Sequence, residues 1–166
     1  PENLNITTSR GQVRDELVEL RDVLPTFLDV AGASIPKEID GMSMLKLIRG
    51  NTKGWRTELD LEHGRCYWPE NSWTGLTDAT YKYIYYSTTG EEQLFNLEND
   101  PGEKNNLAGV KEFKDLLSDW RGKMIVHLSE RGAPWVVNND LGIIKEAIKF
   151  SPNYPQQYFP EEIETN

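Results

Sequence analysis

Tyr81-Lys82-Tyr83-Ile84-Tyr85-Tyr86-Ser87, followed by Thr88-Thr89-Gly90-Glu91, by Gln93-Leu94-Phe95-Asn96-Leu97, and by Asp100-Pro101-Gly102-Glu103 with Asn106-Leu107-Ala108, decides the fold. Side chains alternate across a strand, so Tyr81, Tyr83 and Tyr85 share one face while Lys82, Ile84 and Tyr86 share the other. Thr88 to Glu91 supplies turn residues at the point where a hairpin must reverse. Pro101-Gly102 fits the two central positions of a type II turn, because proline presets the first and glycine tolerates the positive φ of the second.

Upstream, Trp73 to Asp78 reads as a further strand joined to Tyr81 through Asp78-Ala79-Thr80. Thr57 to Glu62 alternates Leu59 and Leu61 with Glu58, Asp60 and Glu62, the pattern of a half-buried strand. Strands so closely spaced pair as an antiparallel meander. Downstream, Val110, Phe113, Leu116, Leu117, Trp120, Met124 and Leu128 recur at helical spacing up to Gly132 and predict one long amphipathic helix over a face of the sheet. The expected class is α+β, a four-stranded antiparallel sheet packed against a long C-terminal helix.

The N-terminal third reads differently. Residues 1–12 are polar and aperiodic. Asp22 suits a helix N-cap, Pro25 the first turn, and Leu24, Phe27, Leu28 and Ala31 a stripe that Gly32 terminates. A second short helical segment, Ser43 to Ile48, follows Asp40-Gly41 and ends at Gly50. Beyond Gly132, Pro134, Pro152, Pro155 and Pro160 lie among scattered aromatics, and periodicity assigns no element.

The 166 residues suffice for one domain plus a remnant of another, and Pro1 in place of Met points to processing or to a fragment. Eighteen basic against twenty-seven acidic residues leave a net charge of −9, which repels nucleic acid and anionic membranes. One cysteine, Cys66, excludes an intrachain disulfide framework and a Cys-rich zinc site. Five Trp, seven Tyr and five Phe support a packed core over a disordered chain.

Two groups of residues carry a resemblance. Asp22-Val23-Leu24-Pro25-Thr26, Ala31-Gly32, Pro36, Asp40-Gly41-Met42-Ser43 and Leu47 form the first, and the string from Tyr81 to Ala108 forms the second. In this order they resemble the C-terminal region of the type I sulfatases, the arylsulfatase family of the alkaline-phosphatase-like superfamily. Lys46, where many relatives carry proline, and Met44, where they carry leucine, depart from the pattern. The resemblance implies three segments: residues 1–54 as the tail of the large α/β domain, 55–132 as the C-terminal subdomain, and 133–166 as an extended tail.

Sulfatases of this type use a Cys/Ser-x-Pro-x-Arg signature oxidised to formylglycine, together with calcium. Cys66-Tyr67-Trp68-Pro69 has neither the proline nor the arginine at the required spacing. The resemblance therefore implies no catalytic residue and no metal ligand in this chain, with calcium and formylglycine expected in an N-terminal domain. It also favours a periplasmic or secreted parent over a cytoplasmic one.

His63 opens the loop His63-Gly64-Arg65-Cys66-Tyr67-Trp68, which combines an imidazole, a guanidinium and aromatic faces. Such groups recognise polyhydroxylated anions by hydrogen bonding and stacking. Similar His-Gly loops in sulfatases contact substrate beyond the sulfate, so the resemblance implies that His63 and Arg65 bind substrate. A structural histidine closing the strand end is the alternative. His127, on the long helix, reads as structural, and Trp55, Trp68, Trp73, Trp120 and Trp135 read as core or interface.

The implied function is the substrate-shaping C-terminal part of a sulfatase acting on a sulfated small molecule or carbohydrate, inactive by itself. The same layout serves phosphonate and phosphate monoester hydrolases, and a non-catalytic interaction module is a third reading. Neither nucleic acid nor a membrane is an expected partner. On the sulfatase reading the first helix exposes Leu24, Phe27 and Leu28, and the fragment is expected to self-associate through it, to swap segments or to carry a disordered N-terminal region.

Overall fold

A computed structural model describes residues 11–64 and 69–144. The chain divides into two compact units, Pro1–Leu59 with Thr77–Thr80, and Asp60–Leu76 with Tyr81–Asn166.

In the first unit, a 3-10 turn at Leu20–Asp22 runs directly into α1 (Val23–Val30), and α2 (Leu45–Ile48) follows. Asp22 precedes α1 as expected, but its side chain makes no cap hydrogen bond to that helix. The fully buried carboxylate instead receives both Nη atoms of Arg56, at 2.5 and 2.6 Å, and the backbone N–H groups of Met42 and Glu19, at 2.8 and 2.9 Å. Burial by itself would push the Asp22 carboxyl up. The Arg56 fork and the two N–H donors outweigh it and hold the carboxyl below the usual carboxylate range.

Thr26 Oγ1 donates to the Asp22 carbonyl oxygen at 2.6 Å and accepts from Met44 N–H at 2.9 Å. Ser43 Oγ donates to Asp29 at 2.5 Å. Gly41 belongs to the same node, since a Cβ there would lie 1.8 Å from the carbonyl oxygen of Arg21. The words Asp22…Thr26 and Asp40-Gly41-Met42-Ser43 are thus one hydrogen-bonded clip between α1 and the approach to α2. Trp55 is buried nearby, its indole N–H donating to the Leu17 carbonyl at 2.8 Å and its ring 4.9 Å from the Arg56 guanidinium. On α1, Leu24 and Phe27 are 55% and 67% exposed, Leu28 is half-buried, and the neighbouring Leu20 is 90% exposed.

The sheet has the order β1 (Leu59–His63), β2 (Trp73–Thr77), β3 (Tyr81–Tyr86), β4 (Glu92–Asn96), an antiparallel meander as expected. Tyr83 pairs with Leu94 and Tyr85 with Glu92 across β3 and β4. A 3-10 turn at Lys111–Phe113 precedes α3 (Lys114–Ser129), so Val110 stands before the helix in extended backbone and is not on its apolar stripe. Leu117, Trp120, Met124 and Leu128 of α3 close on Leu76, Tyr83, Tyr85 and Leu94. Each such burial stabilises by about 1.5–3 kcal/mol, and this one core accounts for the alternating tyrosines of β3.

The polar ends of those tyrosines are satisfied. Tyr83 hydroxyl donates to Glu92 at 2.6 Å, and Arg121 of α3 donates to the same carboxylate. Burial, then the adjacent Glu92 carboxylate, push the Tyr83 phenol far above its usual value, so it stays protonated. Tyr85 hydroxyl donates to the Gly142 carbonyl at 3.0 Å. The hairpin β5 (Val136–Val137) and β6 (Asp140–Leu141) packs on this core, through a reversal at Asn138 and Asn139, both at positive φ. Gly142 lies where a Cβ would stand 1.9 Å from the Pro134 carbonyl oxygen.

The Asp100–Glu103 turn corrects one expectation. Glu103 N–H does donate to the Asp100 carbonyl at 3.0 Å, but Gly102 is not at positive φ and the turn is not type II. The left-handed residue is Glu103, at φ 52°, whose carboxylate takes Lys82 Nζ at 2.8 and 3.0 Å. Asn106 then substitutes for a neighbouring strand along β4: its Oδ1 accepts from Leu94 N–H at 3.0 Å, while Leu107 N–H donates to the Leu94 carbonyl at 2.8 Å.

Candidate functional site

The second sequence string is therefore also structural. Lys82, Glu103 and Asn106 tie a turn to the sheet, and none of them assembles a nucleophile. The residues left for recognition stand at the ends of β1 and β2. His63 is the last residue of β1 and Trp73 the first of β2, with a 3-10 turn at Pro69–Asn71 before Trp73. Adjacent strands bring the two rings together at a centroid distance of 5.7 Å and an interplanar angle of 12°, a stacked pair.

On β2, Gly75 runs close to β3, where a Cβ would lie 3.2 Å from the Tyr83 carbonyl oxygen, and Cζ3 of Trp73 stands at contact distance, 3.4 Å, from the same point. Lys82 Nζ stands 6.0 Å from the Trp73 ring centroid while held by Glu103. Trp73 is half-buried, and the sequence reading of it as core or interface missed its pairing with His63.

His63 Nδ1 lies 2.9 Å from the Asn71 carbonyl oxygen. A carbonyl only accepts, so the geometry assigns the ring hydrogen to Nδ1. Nε2 is then the ring atom that Asn71 does not engage, and imidazole chemistry makes it an acceptor from a hydroxyl in the neutral ring and a donor to an anion in the protonated one. Beside it on β1, Glu62 accepts Arg131 Nη1 and Nη2 at 2.9 and 3.0 Å, and the Arg131 guanidinium lies 5.0 Å from the Trp135 ring. Arg131 was not among the residues singled out by sequence, and its partner, sixty-nine positions away, is one acidic residue among many.

Arg65, Cys66 and Trp68 lie outside the described residues, so the structure brings together His63, Trp73 and Lys82 and says nothing of the rest of the loop. His127 sits on α3, apart from this group in the chain, with Nε2 buried and without a hydrogen-bond partner among the described residues. No cluster of three or more His, Cys, Asp or Glu able to hold a metal ion occurs among the described residues. No helix among them is long and apolar enough to cross a membrane.

Comparison with known proteins places the fold and sequence together. The family model "N-sulphoglucosamine sulphohydrolase, C-terminal" matches residues 4–131. An arylsulfatase of Clostridium perfringens is 37% identical over 141 residues, 85% of this chain and 28% of that protein. A Delta 4,5-hexuronate-2-O-sulfatase of Bacteroides thetaiotaomicron is 29% identical over 102 residues, 60% of this chain and 21% of that protein. The crystal structure of a putative sulfatase from Bacteroides thetaiotaomicron superposes with a TM-score of 0.57 at 28% identity, covering 66% of this chain and 24% of that one. The chain spans about a quarter of the length of the arylsulfatase and of the hexuronate sulfatase.

Proposed function

Because the chain belongs to the N-sulphoglucosamine sulphohydrolase C-terminal family of sulfatases, we propose that it is the substrate-shaping part of a sulfuric ester hydrolase. The observation that carries this reading is the family match across residues 4–131. The chemistry is assigned to the remainder of a longer parent, where formylglycine would supply the nucleophile and calcium would neutralise the sulfate. This chain's residues bind and orient. His63 offers Nε2, and Arg65 a guanidinium, to the part of the substrate beyond the sulfate.

The substrate class is a sulfated carbohydrate or small molecule. The names of two relatives, an arylsulfatase and a hexuronate-2-O-sulfatase, support that breadth. Fold alone does not fix a substrate within it.

The reading is tested in the full-length parent by His63→Ala, assayed with a hexuronate 2-O-sulfate. Loss of one hydrogen bond outside the reacting centre removes binding common to ground and transition states. KM therefore rises roughly 2- to 10-fold with kcat preserved. An unchanged KM assigns His63 to strand-end structure alone, and an equal loss in kcat places it in the chemistry.

A further inference from the structure

The stacked pair at the sheet's end has a division of labour. A solvent-exposed neutral imidazole exchanges its hydrogen between two nitrogens and rotates about two side-chain torsions. At His63 both freedoms are restricted by neighbours. The Asn71 carbonyl, 2.9 Å from Nδ1, selects the nitrogen that carries the hydrogen. The Trp73 ring, 5.7 Å away and nearly parallel, fixes the plane of the imidazole. Trp73 in turn lies against Gly75, with Lys82 Nζ 6.0 Å from its centroid and Lys82 held by Glu103 at 2.8 Å.

We propose that Trp73 is a positioning residue that, with the Asn71 carbonyl, holds His63 as its Nδ1–H tautomer, so that Nε2 is presented as an acceptor for a substrate hydroxyl. This rests on the reading of His63 as a substrate contact, and it adds the ligand group that His63 selects. A neutral ring in this tautomer has no hydrogen to give an anion at Nε2. A sugar hydroxyl, which donates, matches it, and a sulfate or carboxylate oxygen, which only accepts, does not.

The tautomer is read directly from ring nitrogen shifts of the 15N-labelled 166-residue chain, taken on the high-pH plateau of those shifts. His63→Asn assigns the His63 signals, and those of His127 report on the fold. The expected wild-type pattern is a protonated Nδ1 and an unprotonated Nε2. Trp73→Leu shifts the two nitrogens toward each other, as a mixture of tautomers requires, while the His127 signals stay in place. Trp73→Phe, which keeps an aromatic face, restores the wild-type pattern. A protonated Nε2 in the wild type, or a His63 pattern indifferent to Trp73→Leu, overturns the proposal.

If Trp73→Leu disturbs His127 as well, the decision passes to kinetics of the full-length parent with a hexuronate 2-O-sulfate. There Trp73→Leu and His63→Ala raise KM by similar factors, and the double variant raises it no further. Additive effects overturn the proposal. His63→Ala without effect on KM refutes the substrate contact itself, and the nitrogen shifts still decide whether Trp73 fixes the ring.

Discussion

Asp22 shows how much one side chain does in this chain. Its carboxylate is fully buried, and four hydrogen bonds tie it to Glu19, Met42 and Arg56. Removing one member of a buried ion pair leaves the other charge uncompensated, which costs about 3–5 kcal/mol. Asp22→Asn and Arg56→Met should each lower the unfolding free energy of the first unit by that order, read from urea denaturation. The double variant should lose less than the sum of the two single ones, because a neutral pair leaves no orphan charge. Since the folded Asp22 carboxyl titrates below its unfolded value, its contribution is complete above about pH 4 and is lost as the pH falls through the lower folded value. Thermal melts between neutral and acidic pH check this: the wild type loses stability through that window and Asp22→Asn loses less.

At the scale of elements, what the sequence displayed was periodicity, and what it concealed was partnership. The meander and the faces of β3 followed from alternating tyrosines, and the α3 stripe of Leu117, Trp120, Met124 and Leu128 followed from helical spacing. Arg56 as the partner of Asp22 was not legible, because a lone arginine thirty-four residues away carries no local signal. The type II assignment failed because Pro-Gly is permissive of several turns, and the tie between Lys82 and Glu103 accompanies the left-handed conformation at Glu103. The hairpin of β5 and β6 was hidden among prolines, two residues per strand being too short for any period. Its closure rests on Gly142: a Cβ 1.9 Å from the Pro134 carbonyl forces the backbone apart. Gly142→Ala should therefore destabilise the second unit by about 1–3 kcal/mol. A urea midpoint equal to the wild type's would show that the hairpin is not fixed there. Of the candidate site, His63 was legible as an imidazole at a strand end. Trp73 was not, since stacking between neighbouring strands is set by register, which residue type alone does not reveal.

For the molecule as a whole, the residues that identify the family and the residues offered for recognition are different sets. Asp22, Thr26, Gly41 and Ser43 build one clip, and Lys82, Glu103 and Asn106 another, and both act within the fold. Leu20, Leu24 and Phe27 present apolar surface on the first unit. Covering each such side chain stabilises by about 1.5–3 kcal/mol, a drive toward association in the isolated chain. Light scattering should show a mass that rises with concentration, and Leu24→Gln with Phe27→Ser should abolish the rise. A wild-type chain that stays monomeric at high concentration contradicts it. The central claim, that this chain shapes a substrate pocket while the chemistry belongs elsewhere in a longer sulfatase, is tested most directly by aryl sulfate hydrolysis, with the purified 166-residue chain and the full-length parent assayed side by side. The account predicts turnover by the parent and none above the uncatalysed rate by the chain, and turnover by the chain alone would contradict it.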